Sequence, residues 1–380
     1  MVVHLQFAGA VAVKYTTEQY IKAYLAVDKA ICTLIEEQYA EMKYDMPCKS
    51  YESNIKKGLF LKFALENIAC NEDTDQDKLI SIANRFSKNC ADCVISDAEI
   101  AAFLGTSKGL EIIDNFDDLD VDVKKFVVAN KTKSLLEIDE LDKLVKAIKA
   151  AGLWSKFHVI YPFVGADLTA KTYNLVNIAK HQIGWGSGSS SVTKGVDFDG
   201  TTNGFGDLNL NFASLGYSQI VDVHVSFYTP DANTVARNIA WGAIQDYTVP
   251  GGDDRMTFVF DGVGQNYFTD MWAQGGLAGR VVVYDFLDGG NQGYYITTTK
   301  AQNDLRMRRE AVELGAYTSN RIVSPIPNLD LYMGAINADN TTQDGTTRSF
   351  GFFTVGYGLT DAECDTLSTL VKTFLNSLGR

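Results

Sequence analysis

Hydrophobic and polar positions follow two rhythms along this chain, and the change falls near Gly152. Before it the spacing is helical. In the stretch from Thr16 to Met42, Ile21, Leu25, Ala26, Ile31, Leu34, Ile35 and Tyr39 recur at about 3.6 residues, the stripe of an amphipathic helix. Thr16 and Gln19 stand at capping-box spacing, as do Ser96 and Glu99, and Ser134 and Glu137. The last of these predicts a helix that carries Ile138, Leu141, Leu144, Val145 and Ile148 on one face. Gly152 suits the left-handed residue that ends it.

After Gly152 the period becomes two. Val221, Val223, Val225 and Phe227 alternate with Asp222, His224, Ser226 and Tyr228, which predicts a half-buried strand with His224 facing outward. KFHVIYPFVG, GVDFDG, LNLNF, MTFVFDG, RVVVYDF, GYYITTT, LDLYMGAI and SFGFFTVG read the same way, punctuated by GGDD, LDGGNQG and NADNTTQDG. Short strands with no long helix between them predict an antiparallel sandwich rather than a parallel α/β sheet. The capping-box run Thr360 to Glu363 then opens a terminal helix with Leu367, Leu370, Val371 and Phe374 on its apolar side. The expected fold class is therefore α+β. A helical anchoring and assembly domain spans 1–130, a connecting helix 131–155, and a β-sandwich 156–380.

Composition narrows the function. Up to Gly152 there are 19 Lys+Arg and 25 Asp+Glu, a balance of -6, and the remainder of the total of -13 lies beyond. Neither half is a basic module, which argues against binding nucleic acid through its phosphates. No run approaches the roughly 18 apolar residues of a membrane span. Five of the six cysteines fall within the first 93 residues, and Cys90-Ala-Asp-Cys93 has no second pair to complete a zinc site, so buried thiols are expected.

The glycine- and serine-rich GWGSGSSS (Gly184–Ser191) lacks both the Lys-Ser/Thr ending of a P-loop and the strand-loop-helix setting of a dinucleotide fold. It reads as a loop entering adjacent strands. GVDFDGTTNGFGDLNLN (Gly195–Asn211) then resembles the early strands of concanavalin A-like (laminin G-like) jelly rolls, and FFTVGYGLTDAECDTLSTLVKTFLNSLG (Phe352–Gly379) is similar to that family's final strand and helix. With LVKAIKAAGLWSKFHVIYPFVG, KTYNLVN and VSFYTPDA, the span Leu144–Arg380 resembles virion structural proteins of tailed bacteriophages, including crAss-like phages. The usual tryptophan-rich strand of that pattern is replaced by HQIGWGSG. The resemblance implies a jelly-roll virion protein, a fibre or capsid decoration, made in the host cytoplasm. It would be homo-oligomeric, partnered by other virion proteins and in contact with host-surface glycan.

Candidate chemistry is sparse. The acids of EIDELD (Glu137–Asp142) mimic the spacing of a glycosidase pair, but a helix turns Glu137 and Asp139 about 200° apart. No catalytic set emerges, and the expectation is a non-enzymatic binding protein; a glycan-cleaving hydrolase or a soluble lectin on the same sandwich is the alternative. Trp185, Trp241, Trp272 and Tyr294 are the candidate sugar-binding aromatics. Asn337, Asp339 and Asp344 offer oxygen ligands for calcium, the one cofactor contemplated.

Overall fold

The computed structural model describes residues 17–42, 62, 82–86, 88, 95, 99, 119–132, 134–217, 221–231, 237–245, 254–261, 266–273, 279–284, 291–319 and 328–380. The chain divides into two compact units, Met1–Lys124 with Lys133–Leu135, and Lys125–Thr132 with Leu136–Arg380. In the first, helix α1 (Thr17–Met42) buries Ile21, Ala26 and Ile31 of the predicted stripe and leaves Leu25 half-buried, while Tyr24 and Val27, outside that stripe, are buried too. Lys62 reaches Asp28 at 2.5 Å and lies over the Tyr24 ring. Thr16 and the cysteines at 48, 70, 90 and 93 lie outside the described residues, while Cys32 is exposed on α1.

Helix α2 (Val121–Asn130) leads to helix α3 (Leu135–Ala150), in which Ile138, Leu141, Leu144, Val145 and Ile148 are all buried. Gly152 adopts φ +71°, and the Leu153 amide returns to the Ile148 carbonyl, closing the helix as a Schellman motif does.

The strands form two facing sheets. Among the described residues one has six strands, in the order β1 (Phe157–Tyr161), β17 (Phe352–Gly356), β6 (Val223–Thr229), β11 (Gly293–Ala301), β12 (Asp304–Arg309) and β13 (Val312–Tyr317). The other runs β10 (Arg280–Tyr284), β9 (Asn266–Ala273), β8 (Asp254–Asp261), β7 (Arg237–Gln245), β14 (Asp330–Met333), β5 (Gly206–Asn211) and β2 (Gly184–Trp185), with β15 (Ile336–Ala338) and β16 (Thr341–Gln343) attached. Pairing is antiparallel except between β15 and β7. The inner faces meet in one core, where Phe227 lies within 6 Å of Phe258, Phe260 and Tyr295. This is the expected sandwich, with α and β segregated along the chain.

GWGSGSSS is ordered by its neighbours. The Gly186 and Gly188 amides donate to the carbonyls of Phe205 and Asn203, and β3 (Ser189–Val192) pairs with β4 (Gly195–Phe198). A Cβ on Gly188 would stand 2.4 Å from Asp199 Oδ2, so this glycine permits a close approach. The buried Lys171 ties down the hairpin, its Nζ donating to Ser191 Oγ and to the carbonyls of Val192 and Gly195.

The terminal helix α4 (Asp361–Ser377) begins with the predicted capping box. Thr360 accepts from the Glu363 amide, and Glu363 accepts from the Thr360 amide. It covers the outer face of the six-stranded sheet, with Phe374 against Phe352 and with Asp361 and Asp365 held by Arg308. This corrects the outward, solvated placement of His224. The helix seals that face, and His224 is fully buried, its Nδ1 donating to the Tyr357 carbonyl and its Nε2 lying 3.0 Å from Thr354 Oγ1. Among the described residues no helix is long and apolar enough to cross a membrane.

Candidate functional site

The predicted aromatics separate on inspection. Trp241 is wholly buried in the core, and Tyr294 is 1% exposed with its hydroxyl bonded to Ser226, so neither has a face to offer a ligand. Both lie on covered faces, Tyr294 beneath α4 and Trp241 between the sheets. Trp185 is half-buried. Its indole N–H donates to the Leu168 carbonyl and to Thr172, and its ring packs on Phe163 and Phe198, a structural role. Trp272 lies in β9, of which the backbone alone is described at that position.

The predicted calcium loop is a hairpin turn. Asn337 Oδ1 accepts from the Asn340 amide and its Nδ2 donates to the Asp330 carbonyl, while Asp339 and Asp344 are exposed with φ near +50°. No group of three or more His, Cys, Asp or Glu side chains able to hold a metal ion occurs among the described residues. The acids of EIDELD are structural. Glu137 accepts from the Gly165 amide and pairs with Arg380, Asp139 pairs with Lys143, and Asp142 pairs with Lys146.

A different set of residues comes together on the outer face of the nine-stranded sheet. Leu208, Leu210, Leu331 and Met333 point into the core, so the alternate positions Asp207, Asn209, Asp330 and Tyr332 face outward. Strand pairing sets Tyr332 directly opposite Asp207. Phe205, two residues before Asp207, stacks on Tyr332 at 4.8 Å with the rings 18° from parallel, and both rings are half-buried. Asn209, at φ +46°, interrupts the ladder, and its amide nitrogens are engaged: the backbone N–H donates to Asp207 and Nδ2 to the Gln182 carbonyl. His181 closes the edge with Nδ1 donating to the Asn209 carbonyl.

The electrostatics follow from this crowding. Burial, reinforced by Asp330, pushes the Asp207 carboxyl above its ordinary value despite the hydrogen bond from Asn209. Burial likewise raises Asp330, an effect that His181 partly offsets. Tyr332 rises through burial and then through both carboxylates. Burial, with a smaller contribution from His181, lowers His158, whose Nε2 lies 2.8 Å from the Tyr217 hydroxyl and whose ring lies 4.7 Å from that of Tyr357.

No protein-family model matches the chain, and no curated protein is significantly similar to it. Solved structures resemble it in part. The chain is similar to the CBM40 module of the Ruminococcus gnavus IT-sialidase, solved with α2,3-sialyllactose, at 12% identity and a TM-score of 0.33, over 41% of this chain and 85% of that one. It is similar to a Trypanosoma rangeli sialidase at 11% identity and a TM-score of 0.42, over 63% of this chain and 40% of that one. The binding domain of Paraclostridial Mosquitocidal Protein 1 matches at 11% identity and a TM-score of 0.34, over 52% of this chain and 48% of that one. At this level of likeness no ligand chemistry transfers from them.

Sequence reasoning missed the sheet-face site for a definable reason. The outward positions of GDLNLN and LDLYM are legible from their period of two. The pairing of β5 with β14, some 120 residues apart in the chain, is not.

Proposed function

We propose that this protein is a carbohydrate-binding jelly roll whose site is the face formed by Phe205, Asp207, Asp330 and Tyr332, edged by His181. The observation that carries the reading is the half-buried Phe205–Tyr332 pair flanked by carboxylates. Aromatic faces take the apolar face of a sugar ring, and neighbouring acceptors take its hydroxyls. A glycan array with the intact chain tests it, with Tyr332→Ala as control. The account expects binding that falls at least tenfold in the variant while the melting temperature is kept; equal binding in the variant would refute this location.

The setting we propose is a tailed-phage particle, on the sequence resemblance of Leu144–Arg380 alone, with the chain as a homo-oligomer. Copurification with intact particles, and sedimentation of the free chain, test those two points.

One observation favours a second reading, cleavage of the glycan. Asp207 and Asp330 stand on neighbouring strands of one face, near enough that Asp330 helps to raise the Asp207 carboxyl, so two interacting carboxyl groups share the face, as a pair of glycosidase acids does. Release of reducing ends from a bound oligosaccharide, abolished in Asp207→Asn, would establish it. Binding without release favours the lectin-like role.

A further inference from the structure

We infer that Asn209 is the positioning residue of the Phe205–Tyr332 face: its left-handed backbone turns its amide onto the Asp207 carboxylate and fixes which oxygen of that carboxylate meets a ligand. The inference rests on the glycan-binding reading above and adds to it the residue that orders the acceptor.

Strand β5 carries a bulge at this residue. Tyr332 stands opposite Asp207, and Asp330 opposite Asn211, so Leu208, Asn209 and Leu210 together face Leu331 alone. Bulges take an amide out of the ladder and re-aim the backbone. Asn209 sits at the middle of this one with φ +46°, a left-handed conformation that asparagine tolerates and a β-branched residue resists. Its N–H goes to Asp207 Oδ1 at 2.9 Å. Asp207 Oδ2 accepts no hydrogen bond among the described residues.

The bulge is clamped by a neighbouring loop. Asn209 Nδ2 donates to the Gln182 carbonyl at 2.8 Å, and the Asn209 carbonyl accepts from His181 Nδ1 at 2.7 Å. That loop is itself fixed. The His181 carbonyl accepts from the Tyr161 hydroxyl, the Lys180 carbonyl accepts from Nδ2 of the buried Asn174, and Gln182 Nε2 donates to the Ile178 carbonyl. His181 has φ +54°, so two non-glycine residues in the left-handed region are bonded directly to each other. Such conformations persist where the surroundings over-determine them, and they concentrate at ligand sites.

The consequence is an acceptor with a set direction. With Oδ1 committed to the backbone, Oδ2 is the oxygen left to a sugar hydroxyl, beside the Tyr332 ring on the paired strand. An acceptor ordered in advance loses less freedom when a ligand arrives and so binds it more tightly. The same bond acts on charge. Burial and the Asp330 carboxylate push the Asp207 carboxyl up, and the Asn209 amide holds it down; Tyr332 on β14 and Tyr161 on β1 also feel the Asp207 charge.

The test compares Asn209→Val, which resists the left-handed backbone, with Asn209→Gly, which keeps that backbone and loses only the side-chain clamp. Asp207 is titrated by carboxyl-carbon NMR in the intact chain, and affinity is measured for the glycans that the unmodified chain binds on an array. The account expects Asn209→Val to raise the Asp207 midpoint by about one unit, the share of a single amide hydrogen bond. Its glycan affinity should fall about tenfold or more, and Asn209→Gly should recover all but about two- to threefold of that loss. In the unmodified chain the Asn209 amide proton should titrate through the Asp207 midpoint, a measurement that stands even where Asn209→Val does not fold. An Asn209 amide that ignores Asp207, or a glycine variant that loses as much as the valine one, would overturn the inference and leave the glycan-binding reading standing. Binding to no glycan would overturn that reading, and the Asp207 titration would still decide whether Asn209 orders the carboxylate.

Discussion

Single side chains divide into those that hold the sandwich and those that can meet a ligand. His224 belongs to the first kind. The Tyr357 carbonyl requires a proton on Nδ1, so Nε2 accepts from Thr354, whose oxygen lies 2.5 Å from Ser226, which in turn lies 2.6 Å from the Tyr294 hydroxyl. Burial pushes His224 down to about 4, against an ordinary value of 6.5. The neutral ring is the native form. As pH falls from 6.5, the unfolded chain takes up a proton that the folded chain refuses until about pH 4, so stability declines across that window by about 3 kcal/mol and levels off below it. Urea unfolding between pH 7 and pH 4 should show this slope, and His224→Gln should flatten it. Tryptophan provides the complementary case: Trp241→Ala should cost about 3–5 kcal/mol through the cavity left in the core, and its effect on ligand affinity should be small.

At the scale of elements, the capping box of α4 and the glycine approach at β3 make separate claims. Thr360→Ala removes the acceptor for the Glu363 amide and should lower stability by about 1 kcal/mol in thermal melts. Gly186→Ala forces a Cβ to 2.1 Å from the backbone Asn203 carbonyl oxygen and should destabilise the entry to the β3–β4 hairpin, read as faster amide exchange in residues 186–198. The capping box was legible because it depends on residues close together in the chain, whereas β3 was not, since GWGSGSSS reads as a loop and only its pairing with β4 makes it a strand. The period-two strands were legible for the same reason as the cap, and so was Gly152 after α3. His224 was misread because a half-buried strand and one capped by a distant helix share the same alternation. Serine, threonine and histidine satisfied among themselves beneath α4 look like a solvated face. Trp241 and Tyr294 failed as ligand platforms because residue type says nothing about which sheet face a partner covers.

For the whole molecule, a helix closes one side of the sandwich and the opposite sheet presents the Phe205–Tyr332 face. The class of fold was legible, since it follows from the switch of period near Gly152. The face itself depends on β14 pairing with β5, a long-range match that no local pattern specifies. Hydrogen–deuterium exchange of the intact chain with and without a bound neutral oligosaccharide tests this placement most directly. The account predicts protection concentrated in residues 203–211 and 328–333; protection confined to other strands, or to the loops at the far edge of the sheet, would contradict it.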